Sequence, residues 1–170
     1  MTSTDALSTM NPELKQRIGA CLGRMASGVY VVTMEDNQGK EGFLATWVTQ
    51  AAFSPPLLTV AVNMQRPFLS RLTIGTKCTF NVLSKQSTDI FKNFAKPYQE
   101  GFDRFDGLEL VKDLDGPPAF ANCIACMIGK VAHIAEAGDH RLVVCEVIDG
   151  VMLNKDQEPM VHFRRDGFQY

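Results

Sequence analysis

GFLATWVTQAAFSPPL, Gly42 to Leu57, is the stretch whose reading decides the fold. It opens on a glycine, passes through Ala45, Thr46 and Thr49 beside Trp47, the sole tryptophan of the chain, and stops at Ser54-Pro55-Pro56. Proline has no amide hydrogen to donate to a ladder, so two in succession end a central strand and turn the chain. Gly42 to Thr49 carries no charge and lacks the three-and-four spacing of an amphipathic helix, which predicts one near-continuous neutral strand. Such a strand reads in two ways. It is a buried strand with two internally satisfied threonines, or its end offers amides, hydroxyls and an indole face to a ligand. The second suits a molecule that carries both a phosphate, which needs clustered N–H and O–H donors, and a flat ring, which needs an apolar wall.

Outward from that stretch, 170 residues suffice for one buried core and fall short of two. The reading is a tail over 1–10 and a single domain over 11–170. A net charge of −2 argues against nucleic acid as a general partner. No run reaches the roughly 20 apolar residues that span a bilayer, and MTSTDALSTM lacks the charge and apolar core of a signal peptide, so a cytoplasmic, membrane-free protein is expected. Five scattered cysteines read as reduced thiols. Cys123-Ile-Ala-Cys126 has no second ligand pair, and in a strand its thiols would point to opposite faces. Two packed thiols, and no metal site, are expected there.

Asn11-Pro12 starts a helix whose apolar side is Leu14, Ile18, Cys21, Leu22 and Met25, ending near Ser27-Gly28. Val29 to Met34 is a strand, and EDNQGK a turn with Gly39 available for positive φ. Leu57 to Val62 is another strand, Pro67 starts a short helix that Gly75 stops, and Thr79 to Leu83 is extended again. A helix follows within 84–95, with Ser87 or Thr88 as N-cap. Lys96 to Gly107 carries Tyr98, Phe102 and Phe105, aromatics expected to fold back over an apolar surface, a cofactor or a partner. Ala119 to Ile134 contains a long strand that pairs, across the Glu136–Asp139 turn, with His140 to Met152, leaving His140 at the hairpin mouth. Met160 to Phe163 is a last short strand. Strands dominate without βα alternation, which favours an antiparallel closed sheet. No glycine-rich dinucleotide or phosphate loop is present, so a nicotinamide cofactor would dock only transiently.

The central stretch continued as GFLATWVTQAAFSPPLLTVAV, preceded by SGVYVVT and followed by TFNVL, DRFDG, AGDH and PMVHF, resembles the flavin reductase family with the FMN-binding split barrel. It is most similar to the flavin reductase module of flavodiiron proteins from oxygenic phototrophs, and the likeness runs from about Gly28 to Tyr170. The resemblance implies a mostly β, antiparallel Greek-key split β-barrel with flanking helices, homodimeric, with the flavin at the subunit boundary. It implies electron transfer from NAD(P)H to FMN, with FAD as the alternative, and on to free flavin, oxygen or a partner protein. Carried over residue by residue, it makes Leu44, Ala45, Thr46, Trp47, Val48 and Thr49 contacts of the flavin ring and phosphate. Asn63 and Arg66 approach the ribityl chain and phosphate, and His140 is the catalytic residue where nicotinamide docks. Phe105 reads as a lid or packing residue, and His133 and His162 as structural. Trp47 departs from the serine usual in stand-alone reductases, and His162 stands where the family often has tyrosine. An FMN-bound electron carrier, or a split-barrel protein that binds haem or another ligand without turnover, are the alternatives.

Overall fold

The computed structural model describes residues 7–97, 99 and 101–168, so Tyr98, Tyr170 and residues 1–6 of the expected tail lie outside the described residues. Helix α1 (Pro12–Leu22) begins as its sequence dictates: the Asn11 Oδ1 accepts from the amides of Glu13 (2.9 Å) and Leu14 (3.2 Å), with proline in the first turn. It stops at Leu22, short of the expected end at Ser27-Gly28. Those two residues are instead strand β1 (Ser27–Gly28), drawn into extended pairing with β9 (Val161–His162), and Met25 is exposed.

The remaining strands are β2 (Tyr30–Asp36), β3 (Gly39–Ala45), β4 (Val48–Ala52), β5 (Leu57–Asn63), β6 (Lys77–Val82), β7 (Ala125–Ala137) and β8 (His140–Met152). A 3₁₀ turn (Pro67–Arg71) follows β5, and helix α2 (Thr88–Ala95) follows β6. All seven strands pair antiparallel in the order β3-β2-β6-β7-β8-β5-β4. The sheet's two edge strands are therefore consecutive in the chain, joined only through Thr46 and Trp47. Ala45 to Val48 is three Cα steps, at most about 11 Å, so the sheet must roll until its edges meet. The result is a mostly β split barrel with helices on its flank, parted at Thr46–Trp47.

This corrects the expectation of one strand over Gly42–Thr49. Ala45 still pairs with Tyr30 on one edge, whereas the Trp47 carbonyl already accepts from the Ala61 amide at 3.1 Å, and Val48 pairs with Val60 on the other. The stretch changes partner strand in the middle, which a neutral run of residues does not reveal.

β2 is buried on both faces, which is why YVVTM is a continuous run rather than an alternating one. Val32 and Met34 point into the barrel with Phe80, Val60 and Val143, while Val31 points outward under α2 with Ile90, Phe94 and Phe120. The polar members of this layer are satisfied. Thr79 Oγ1 donates to the Pro117 carbonyl (2.8 Å), Asn81 Nδ2 to the Val31 carbonyl (3.1 Å), and Asn81 Oδ1 accepts from the Phe120 amide (3.0 Å). Helix α2 lies directly on β3 at Gly42, where a Cβ would stand 2.8 Å from Phe94 Cε1. Phe105 packs edge-on to Phe94 (5.4 Å) and stacks on Phe120 (5.7 Å), so it is a packing residue of this layer.

β7 begins at Ala125, later than expected, because residues 119–124 turn beneath the outer layer, anchored by the Asn81–Phe120 bond. Cys123 thus precedes the strand that holds Cys126, and both thiols are buried. Burial, with Cys126 close by, pushes the Cys123 thiol up to about 12. A second buried pair escaped sequence reading: Cys78 on β6 and Cys145 on β8, where the neighbouring Cys145 and burial together raise the Cys78 thiol. The β7–β8 hairpin closes where expected, with Ala137 opposite His140. Among the described residues no helix is long and apolar enough to cross a membrane.

Candidate flavin site at the barrel split

The parting of the barrel opens a cavity of about 290 Å³. Its apolar wall comes from the end of β3 (Leu44, Ala45), from Trp47, and from Ala61 and Val62 at the end of β5. α2 and the chain beyond it face this wall through Phe91, Phe94 and Lys96. Among the described residues, three cations line the cavity, Arg66, Lys96 and Arg104, and no aspartate or glutamate does. That imbalance favours an anionic ligand group.

Each cation is set by its own local structure. Asn63 ends β5 and folds the next turn, its Oδ1 accepting from the Gln65 amide (2.9 Å) and its carbonyl from the Arg66 amide (3.1 Å), which brings Arg66 to the rim. Lys96 is the C-cap of α2. Arg104 is only 7% exposed, and its Nη1 and Nη2 donate to the carbonyls of Phe94 (3.4 Å) and Lys96 (3.2 Å). A cation at the carbonyl end of a helix is favourably placed. Sequence reading gave neither Lys96 nor Arg104 a place in the site, although the resemblance matches Arg104-Phe105 to the family's aspartate-basic-phenylalanine loop. The signal available was an arginine inside the aromatic loop DRFDG, a charge where the neighbours demand burial.

Of the residues carried over from the resemblance, Leu44, Ala45, Thr46, Trp47, Asn63 and Arg66 come together on this one cavity. The Thr46 hydroxyl, half-buried at the split, makes no hydrogen bond among the described residues. Val48 and Thr49 lie beyond it on β4: Val48 packs against the barrel core, and Thr49 is exposed with its carbonyl accepting from Thr59 Oγ1. His140 stands behind Trp47, the two rings 4.8 Å apart and tilted by 42°. It is 6% exposed, and its Nδ1 is 2.7 Å from Asp139 Oδ1. An ionised carboxylate only accepts, so Nδ1 carries the proton in that bond. His162, read as structural, lines the cavity from β9, while His133 is exposed on β7.

An apolar wall, an indole, an unengaged hydroxyl and three cations fit a molecule with a flat ring system and a phosphate. The sequence model of the family described as the flavin reductase like domain matches residues 22–169. The chain belongs to that family. Diflavin flavoprotein A 1 of Synechocystis sp. is 32% identical over 165 residues, which are 96% of this chain and 28% of that protein. The chain accordingly spans less than a third of the curated relatives it matches. Among solved structures, the NADH:FAD oxidoreductase SgcE6 of Streptomyces globisporus superimposes with a TM-score of 0.78 at 26% identity, covering 93% of each chain. A second flavin reductase, PheA2, superimposes with a TM-score of 0.74 at 26% identity over 91% of this chain and 94% of that one.

Proposed function

We propose that the cavity at the barrel split binds a flavin, FMN first and FAD as the alternative, and that the chain is an NAD(P)H:flavin oxidoreductase. The observation that carries this reading is the convergence on one cation-lined cavity of the Thr46–Trp47 break, the Asn63 turn and Arg66. When bound, the flavin supplies a ring that accepts hydride and passes electrons onward. The protein's part is to bind, orient and screen. Leu44, Ala45 and Trp47 offer the flat wall, Thr46 a hydroxyl donor, and Arg66, Lys96 and Arg104 the cationic end. Val48, on β4 past the break, holds the wall from behind. His140, fixed in its tautomer by Asp139, supports the indole and stands near where a nicotinamide would dock.

The SgcE6 protein is by name an NADH:FAD oxidoreductase, which supports a nicotinamide donor here and keeps FAD in view. Exposed apolar residues such as Phe53 (89% exposed), Ile148 and Met152 support a homodimer that covers them. The acceptor is free flavin, oxygen or a partner protein. A partner is supported by the match to under a third of a diflavin flavoprotein.

Titration of FMN and of FAD into flavin-free protein tests the reading, with quenching of Trp47, the sole tryptophan, as the signal. Saturable quenching that Arg66→Ala weakens is expected. No quenching by either flavin contradicts the assignment.

A further inference from the structure

Arg164 follows β9, and its Cζ stands 5.0 Å from the centre of the Trp47 ring. Its guanidinium is held from behind: Nη1 donates to the Gly167 carbonyl (3.0 Å) and Nη2 reaches the Leu22 carbonyl at the end of α1 (3.5 Å). Anchored in this way, the cation meets the indole face with little of its rotamer freedom left to lose.

The anchorage is itself built by backbone contact between α1 and residues 164–168. The Gly167 amide donates to the Gly19 carbonyl at 2.8 Å. A Cβ at Gly167 would run into Leu22, and one at Gly23 would stand 2.9 Å from the Arg164 carbonyl oxygen. Only glycine lets the two segments approach this closely. Lys15 adds a contact to the Phe168 ring at 6.0 Å. A chain of contacts therefore runs from α1 through 164–168 to the indole, which His140 also touches.

We propose that Arg164 is a positioning residue for Trp47: carried by the docking of residues 164–168 on α1, it holds the indole as a wall of the cavity and so sets flavin affinity from outside the site. This inference rests on reading the cavity as the flavin site. It assigns a task to α1 and to the C-terminal segment, neither of which lines the cavity.

The test uses the full chain with Arg164→Met, Arg164→Lys and Gly167→Ala, and reads Trp47 emission and acrylamide quenching without flavin, then FMN and FAD titrations. Arg164→Met is expected to shift emission to longer wavelength, steepen quenching and weaken flavin binding about tenfold, a cation–π contact's worth. Arg164→Lys, which keeps the charge, should recover most of both signals. Gly167→Ala retains the arginine but displaces the segment that carries it, and should reproduce the emission change. A folded Arg164→Met protein with unaltered emission and quenching overturns the proposal. So does altered emission with unaltered flavin affinity, or a lysine variant no better than methionine. If the parent binds neither flavin, the proposed function fails, while the emission measurements still decide whether Arg164 sets the indole.

Discussion

Asn63 and His140 stand directly opposite each other in the β5–β8 ladder. One register thus fixes both the turn that carries Arg66 and the imidazole that backs Trp47, since opposed residues in an antiparallel pair keep their Cβ atoms within about 5.5 Å.

His140→Ala should slow anaerobic reduction of bound flavin by NADH or NADPH by about a hundredfold, because a small misplacement of a hydride donor has that effect on rate. Because His140 also backs the Trp47 indole, flavin affinity should fall by no more than about tenfold, and dithionite should still reduce the flavin. Stopped-flow absorbance checks all three. An unchanged rate would leave His140 as a packing partner of Trp47 only.

Thr46→Val keeps the shape of the break and removes its hydroxyl. If that hydroxyl donates to the flavin phosphate, affinity should fall by the equivalent of about 1.5 to 3 kcal/mol. Isothermal titration measures it, with circular dichroism to verify the fold. Equal affinity would remove Thr46 from the site.

Gly42→Ala places a Cβ 2.8 Å from Phe94 Cε1. Phe94 is confined by Phe105 and Phe120, so the strain cannot escape by a simple rotation. A loss of about 1 to 3 kcal/mol is expected from such overpacking. In a chain of this size that lowers Tm by a few degrees per kcal/mol, roughly 2 to 4 °C each. An unaltered melting curve would mean that α2 rests on β3 less tightly than the geometry implies.

Native protein should react with a thiol reagent at Cys21, the exposed cysteine, and expose the other four only on unfolding. The Cys123 thiol is pushed up by burial to about 12 from a usual 9.0, so the folded state holds its proton more tightly than the unfolded state. The stability this contributes is complete below about pH 9 and is lost as pH rises from there through about 12. Denaturant midpoints should fall on alkalinisation over that window, and Cys123→Ala should flatten the slope.

Much of the fold was legible because local chemistry agreed with it. Asn11-Pro12 starts α1, the β7–β8 hairpin closes at His140, and the Leu57 strand takes its place, each by signals within a few residues. The change of edge at Thr46–Trp47 was not legible. Leaving β2 and joining β5 is decided by ladder partners far away in sequence, and a neutral run carries no mark of it. The same holds for Arg104, whose place follows from the carbonyls at the end of α2. Cys78 and Cys145 likewise meet only because β6 and β8 flank β7. Six of the eight cofactor positions carried over by resemblance fell on the cavity. Val48 and Thr49 did not, since β4 lies past the break.

The most direct test of the central claim is anaerobic absorbance of the flavin-loaded protein after addition of NADH and, separately, NADPH. Bleaching of the flavin's visible absorbance by at least one of the two, at a rate that depends on its concentration, is the predicted result. A flavin-loaded protein that dithionite reduces but neither nicotinamide does would contradict the claim.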